Sequence, residues 1–406
     1  MNGAETNSQG THDRRHPPRV AYVMPTHDRP EELRQTLAAL GALPAHDAQV
    51  IVVDNASEPA AAVTARLENG LRVECLRRAH NEGAAARNTG AMAADSSCEW
   101  IVMLDDDSAP TDLGFLDRLA AQPTDVLAVS ADIALPEAGR RESGGLPEVF
   151  IGCGVAFRRE AFVYSGGYDP RFGYYAEEYD LAARLLLAGG RVRFEPDFRV
   201  AHRKTERGRD MDLILGRLVR NNGWVMQRYA PDAVRREMAR SMRARYRAIA
   251  AKERAIEGFG RGLRELRATV RRQWRTPLPT VVWDRFTGLA HAREALAAAR
   301  DRHGFDSAAI IEPGKHAEFV EQALRELGVR IVEERDADTL VVGTLSPGPG
   351  LDAVERLDGS RDAADRPVVL PWEPGRLLAT APLHRLSDGS PARAAPARVS
   401  PVRRAA

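Results

Sequence analysis

Three short apolar runs near the start of the chain each stop in a polar cluster, and this repeated ending limits the fold more than any other feature. Residues 19–24 run into Pro25-Thr26-His27-Asp28, residues 49–53 into Asp54-Asn55, and residues 99–104 into Asp105-Asp106-Asp107. Runs of this length and apolarity suit buried strands. Helical spacing lies between them: 30–40, with Leu33, Leu37 and Leu40 in step, then 60–67, and the Ala-rich 83–94. Residues 72–76 read as extended. Strand and helix in alternation predict parallel crossover units with helices on both faces of a sheet. Ligands of such sheets sit at the carboxyl ends of strands, where these polar clusters fall.

Further strands are expected at 152–158 and 191–195, with an aromatic and acidic stretch at 164–179 and a helix at 180–188 between them. Residues 210–275 read as nearly all helix. The spacing then predicts a smaller α/β unit: strand 308–312, turn Pro313-Gly314, helix 316–327, and strands at 329–333, 340–344 and 368–371. The expected organisation is a polar tail over 1–18, an α/β domain over 19–209, a helical extension over 210–300, a small Rossmann-like α/β unit over 301–375, and a tail rich in Ala, Pro and Arg over 376–406. A chain of 406 residues is long enough for these units.

Composition removes several function classes. The net charge is +1, which argues against one large basic nucleic-acid surface. The three cysteines, Cys75, Cys98 and Cys153, are too widely spaced for a disulfide framework or a C-x-x-C metal knuckle, and a reducing cytoplasm fits them. The first residues hold no apolar h-region, so no secretory signal is expected. No run approaches the ~18 apolar residues of a membrane span, so any membrane contact is expected at its surface.

Asp105, Asp106 and Asp107 repel one another, and a divalent cation is one reason for such a run, since Mg²⁺ and Mn²⁺ prefer oxygen ligands and leave positions for phosphate. A solvated acidic turn capping a helix near Pro110 is the alternative. Asp54 ends its strand where a carboxylate accepts hydrogen bonds from a nucleotide, or where it closes an Asx-turn on its own backbone. Gly83 at a helix start with Arg87 one turn on makes an anion site, or an Ala-rich helix packed on the sheet. Glu177 and Glu178 open a helix, where a carboxylate serves as a general base or complements the helix dipole. His202 suits Mn²⁺ beside carboxylates, or a structural role. Cys153, between two glycines, reads as a packed small residue without an activating partner.

Taken in order, P-T-H-D-R at 25–29, V-V-D-N-A-S at 52–57, N-E-G-A-A-A-R-N-T-G at 81–90, L-D-D-D-S at 104–108, G-G-Y-D at 166–169, E-E-Y-D-L at 177–181 and His202 resemble the family 2 glycosyltransferases, over about residues 19–205. The resemblance implies a GT-A fold, a Rossmann-like mixed sheet with helices on both faces. It implies inverting transfer of a sugar from a nucleotide-sugar donor to an acceptor hydroxyl, with Mn²⁺ or Mg²⁺ as cofactor. Asp54 matches the aspartate that holds the nucleobase, and Thr26 and Arg87 match positions lining the nucleotide pocket. Asp105 and Asp107 match the outer members of the D-x-D motif, with Asp106 between them on the donor side. Asp107 and His202 match the metal ligands. Glu177 and Glu178 match the acidic pair that supplies the base. Glu178 stands where Asp is usual, which leaves either glutamate as the base and Asp180 as a helix cap. A nucleotidyltransferase of the same fold would carry a glycine-rich loop after the first strand, where this chain has P-T-H-D-R-P. The third reading is a non-catalytic nucleotide-sugar-binding module.

The acceptor class stays open between a glycan, a lipid-linked glycan, a peptide and a small metabolite. From Arg235 to Arg275 there are 14 Lys/Arg against 4 Asp/Glu, beside an apolar stripe that includes Val234, Met238, Met242 and Tyr246. The segment is expected to pack on the catalytic domain with its arginines solvated. Its alternative is peripheral contact with an anionic membrane at the inner face. The C-terminal turn, E-P-G-K-H, lacks the G-x-G-x-x-G fingerprint, so that unit is expected to serve packing or dimerisation rather than cofactor binding.

Overall fold

The computed structural model describes residues 19–204, 210–358, 366–378 and 403–404. The expected tail at 1–18 lies outside these residues, as does the expected tail at 376–406 apart from 376–378 and 403–404.

The main sheet is built from β1 (Val20–Thr26), β2 (Ala48–Asp54), β3 (Arg72–Arg77), β4 (Trp100–Leu104), β5 (Ser108–Pro110), β6 (Val126–Leu135), β7 (Arg140–Arg141), β8 (Gly154–Arg158) and β9 (Arg191–His202). Their order is β3-β2-β1-β4-β8-β6-β9-β5, with β7 beside β6. The first four strands are parallel, β8 is antiparallel to its neighbours, and β6 and β9 are parallel again, so the sheet is mixed. Side chains alternate between two apolar layers. Tyr22, Val50, Val52, Trp100 and Val102 face the helix Pro30–Ala42 and the helix Gly114–Ala120. Ala21, Val23, Ile51, Ile101 and Met103 face the helices Ala86–Ala93 and Glu177–Leu187.

β10 (Ser307–Ile311), β11 (Arg330–Ile331), β12 (Thr339–Val342) and β13 (Val368–Val369) form the expected small parallel sheet, in the order β11-β10-β12-β13. Arg403-Arg404 pairs antiparallel with β3. The second apolar layer continues through Trp224, Trp283 and Phe286 to Ala308, Val320 and Trp372, so buried side chains link the main sheet to the helical and C-terminal parts.

Three expectations are corrected. Residues 60–67 are not helical. Ala61 N–H donates to the Asp54 carboxylate, and the backbone further on pairs with residues 71–73, which leaves an eight-residue stretch no means of nucleating a helix. The acidic run does not cap a helix at Pro110: Ser108–Pro110 is a strand, and the helix begins at Gly114. The strand expected at 191–195 extends to His202, and β6, which no periodicity announced, lies beside it.

Helices Met211–Tyr229, Asp232–Lys252 and Ile256–Thr269 pack together through Leu215, Val219, Met242, Tyr246 and Ala250. The basic stripe is therefore packed through its apolar side, with Arg236, Arg240, Arg243 and Arg247 exposed. Among the described residues no helix is long and apolar enough to cross a membrane.

Glu148 fastens the following helices to the main sheet. It is buried and accepts hydrogen bonds from Arg285 Nε at 2.8 Å and from Val192 N–H at 3.4 Å, with His291 Nε2 at 3.1 Å. Burial opposes its ionisation, but His291 and Arg285 outweigh it and bring the carboxyl down to about 2. A carboxyl whose pKa is depressed by folding stabilises the fold fully above its unfolded value, near 4.5, and loses that contribution as pH falls toward 2. We expect Glu148→Gln to cost about 3 kcal/mol in urea denaturation at pH 7, and the difference from the parent to shrink at pH 3.

Candidate active site

Strand register assembles the site. Thr26 pairs with Asp54 where β1 and β2 end, and β4 ends alongside, so the three polar clusters share one edge of the sheet. Antiparallel pairing of β4 with β8 sets Leu104 opposite Gly154 and brings Gly152 and Cys153 to the acidic run. Antiparallel pairing of β5 with β9 sets Ser108 opposite His202, and so carries His202 to Asp107.

Each aspartate has its own partners. Arg29 donates to Asp106 Oδ1 at 2.6 Å and to Asp107 Oδ2 at 2.7 Å. Thr26 Oγ1 donates to Asp106 Oδ2 at 2.9 Å. Arg87, buried, donates to Asp105. Burial pushes the Asp106 carboxyl up to about 7; Asp105 and Asp107 add to this and Arg29 opposes it. Asp107 goes the other way: burial resists ionisation, but His202 and Arg29 hold its carboxyl well below the usual range.

His202 lies between carboxylates, with Nε2 3.2 Å from Asp107 Oδ1 and Nδ1 3.1 Å from Glu142 Oε2. Burial disfavours the imidazolium, yet Cys153, Asp107 and Glu142 together raise its pKa to about 12. Lys204 Nζ donates 2.8 Å bonds to both oxygens of Glu142. Cys153 Sγ lies 3.6 Å from His202 Nδ1, so this packed thiol does have an imidazole partner. The residues fit a divalent cation: ligand atoms of Asp105, Cys153 and His202 lie within 4.8 Å of one another, and buried Asp107 Oδ1 meets His202 Nε2 at 3.2 Å.

The second acidic cluster opens the helix Glu177–Leu187 after a strained turn. Tyr175 (φ 74°) and Ala176 (φ 65°) both adopt the left-handed conformation, which is costly for residues other than glycine. Asn221, fully buried on the helix Met211–Tyr229, holds the turn by donating to the carbonyls of Phe172, Tyr174 and Tyr175 at 3.0, 2.9 and 2.7 Å. Gly83 allows the neighbouring loop to come close, since a Cβ there would stand 2.5 Å from the Gly173 carbonyl oxygen. Asp180 does not cap this helix. It is buried in ion pairs with Arg184 and Arg228 and accepts from Tyr229 Oη at 2.7 Å.

Both clusters open on one cleft of about 600 Å³, lined by Arg87, Asp105, Asp107, Glu177, Glu178 and His202. Gly152 lines it between the two: a Cβ there would stand in van der Waals contact with Glu178 Oε1 at 3.4 Å and Arg87 Nη2 at 3.9 Å. Burial raises the pKa of both glutamates. For Glu177 the neighbouring Glu178 adds to the rise, and its Oε2 has no hydrogen-bond partner among the described residues. For Glu178, Arg87 and Lys315 oppose it.

Three of the residues singled out in the sequence do not line this cleft: Asp106, whose carboxylate is taken up by Thr26 and Arg29, Thr26 itself and Asp54. Thr26 is buried beneath Asp106. Asp54 is 1% exposed and accepts from Ser57 N–H, Ala61 N–H and Arg77 at 2.8, 3.1 and 2.9 Å, the Asx-type arrangement. Burial works against its ionisation, but these bonds hold its carboxyl below the ordinary value. Sequence reasoning missed Arg29, although it ends the P-T-H-D-R motif, and it missed Glu142, Lys204, Asn221 and Lys315, which no local pattern marks.

Removing the clamp on the strained turn gives a test. Asn221→Ala leaves buried carbonyls without donors and is expected to cost ~1–3 kcal/mol in chemical denaturation. It is also expected to lower turnover about tenfold through displacement of the acidic pair, with donor KM unchanged.

Residues 22–162 match the family model described as glycosyl transferase family 2. The pre-mycofactocin glycosyltransferase of Mycobacterium tuberculosis is 30% identical over 207 residues, 45% of this chain and 42% of the relative, so the chain spans under half the length of that protein. Among solved structures, the mannosyltransferase PcManGT from Pyrobaculum calidifontis in complex with GDP-Man and Mn²⁺ is 20% identical with a TM-score of 0.42, covering 70% of this chain and 82% of that one. GalNAc-T7 with UDP, GalNAc and Mn²⁺ is 17% identical with a TM-score of 0.46, covering 63% and 58%. Residues 22–162 of the 406 are thus similar to glycosyl transferase family 2, and they form part of a mixed sheet that gathers both acidic clusters in one cleft.

Proposed function

We propose that the protein is an inverting, divalent-metal-dependent transferase that moves a sugar from a nucleotide-sugar donor to an acceptor hydroxyl. The observation that carries this reading is the shared cleft, whose lining brings together Asp105, Asp107, His202, Glu177 and Glu178. Asp107 and His202, with Asp105 beside them, would hold the metal. Bound Mn²⁺ or Mg²⁺ would neutralise charge on the departing diphosphate as a Lewis acid. Arg87 stands where a donor phosphate needs a fixed cation. Asp106, tied to Thr26 and Arg29, shapes the acidic loop rather than reaching the ligand. Asp54 orders the loop from Asn55 to Ala61 on which a nucleobase would rest.

Glu178 is the better base of the pair. Burial raises both pKa values and Arg87 opposes the rise in both, but Lys315 favours the ionised form of Glu178 while Glu178 itself pushes Glu177 further up. In the reaction the acceptor oxygen bonds to the anomeric carbon as the bond from that carbon to the phosphate oxygen breaks. The acceptor proton passes to Glu178, and the electron pair leaves with the diphosphate. Attack from the side opposite the leaving group inverts the anomeric centre. Glu177, with its free buried oxygen, is placed to hydrogen-bond a sugar hydroxyl.

The donor sugar can be identified by thermal shift with a panel of nucleotide sugars and Mn²⁺, because a ligand that binds only the native state raises the melting temperature. With that donor, Glu178→Gln is expected to lower turnover by at least ~100-fold while donor binding survives, and the product anomer read by NMR is expected to be inverted. Full turnover in Glu178→Gln with loss in Glu177→Gln would transfer the base role to Glu177; a retained anomeric configuration would refute the mechanism.

A further inference from the structure

Lysine is rare in this protein. Of its 58 Lys and Arg residues only three are lysines, Lys204, Lys252 and Lys315. Two of the three, Lys204 and Lys315, line the catalytic cleft. Lys204 is fastened to Glu142. Lys315 is not fastened: its ammonium group has no carboxylate within ion-pair distance among the described residues and lies 5.0 Å from the centre of the Tyr179 ring.

Lys315 comes from the E-P-G-K-H turn of the C-terminal unit, the turn expected to serve packing. The structure sets it in the wall of the cleft beside Tyr179 and Arg245. A second hollow of about 590 Å³ adjoins it where β10 and β12 end, sharing Ser143, Gly144 and Lys315 with the first. The carboxyl ends of strands from both sheets therefore face one space, a usual position for ligands. Further groups on this wall await a partner. The Tyr179 hydroxyl is buried without a hydrogen-bond partner, and Arg245 stacks on Tyr246 without an ion-paired carboxylate among the described residues. Burial and Arg245 draw the Lys315 pKa down to about 7 against the pull of Glu178. Of the charged groups, Arg245 and Glu178 act on Lys315, and both line the cleft with it.

Resting on the proposed transferase reading, we infer that the C-terminal unit forms the acceptor side of the cleft and that Lys315, with Arg245, binds an anionic group, a carboxylate or a phosphate, on the acceptor. A compact ammonium group suits this place because it reaches an anion of either shape without the fixed fork of arginine. The acceptor would then carry its negative charge near the hydroxyl that Glu178 deprotonates.

With three lysines, ¹³C reductive methylation of the full chain yields few lysine resonances, and Lys315→Arg identifies the one from Lys315. Inorganic phosphate and acetate are each titrated at pH 6, with a nucleoside diphosphate and Mn²⁺ present to occupy the donor site. The expected result is a saturable shift of the Lys315 resonance with at least one of the two anions while that of Lys252 stays still, and an apparent affinity about fivefold weaker in Arg245→Gln. The anion that saturates at the lower concentration names the acceptor group. The inference is overturned if neither anion shifts Lys315, if Lys252 responds equally, or if the nucleotide abolishes the response. A thermal-shift measurement with nucleoside diphosphate and Mn²⁺ reads the donor site separately: its failure would remove the transferase reading and leave an anion site, whereas a silent Lys315 would remove only the acceptor inference.

Discussion

Packing several carboxylates into one partly buried cleft is the constraint on which the rest of this structure depends. Like charges at this spacing cannot all ionise without compensation. The protein supplies compensation asymmetrically. Arg29 and His202 hold Asp107 ionised, Arg87 pairs with Asp105, and Asp106 is left with its pKa displaced upward. The two glutamates of the same cleft have no arginine of their own within ion-pair distance among the described residues, and burial raises both. Under the proposed reading, one cluster would attract positive charge and the other would accept a proton, which would separate the two tasks of glycosyl transfer.

This separation requires rigid placement, and much of it comes from outside the segment that the family model matches. Asn221 clamps the strained turn ahead of Glu177, and Arg228, fully buried, ties the same helix to Asp169 and Asp180. Glu148 anchors the next helices through Arg285 and His291. Removing one partner of such a buried pair leaves an uncompensated charge, so these contacts fix geometry more than they add stability. The helical extension supports the turn that carries Glu177 and Glu178, and its exposed arginines lie on the side away from that packing.

The polar edge of the sheet was legible in the sequence because it is local. An apolar run that stops in Asp105-Asp106-Asp107 marks both the strand and its carboxyl end, and the E-E-Y-D-L helix start marks the second cluster. Features that depend on partners far along the chain were not legible. Arg29 reaches Asp106 and Asp107 over more than seventy positions, and Asn221 reaches Tyr175 over nearly fifty. Nothing in the turn around Lys315 says which cavity it borders. Asp180 resembled a helix cap because acidic residues in a first turn are common, and only the arrival of Arg228 makes it a buried ion-pair partner. Residues 60–67 resembled a helix because Ala and Leu favour one, but the Asp54 side chain and β3 take up their backbone groups.

The central claim is that Asp107 lies at the cation and phosphate side of the cleft while Glu178 lies opposite. Calorimetric titration of nucleoside diphosphates, with and without Mn²⁺, into the native protein, Asp107→Ala and Glu178→Gln tests it most directly. Binding is expected to require Mn²⁺, to weaken at least ~10-fold in Asp107→Ala, and to persist in Glu178→Gln. Binding that ignores both the cation and Asp107, or that is lost in Glu178→Gln, would contradict it.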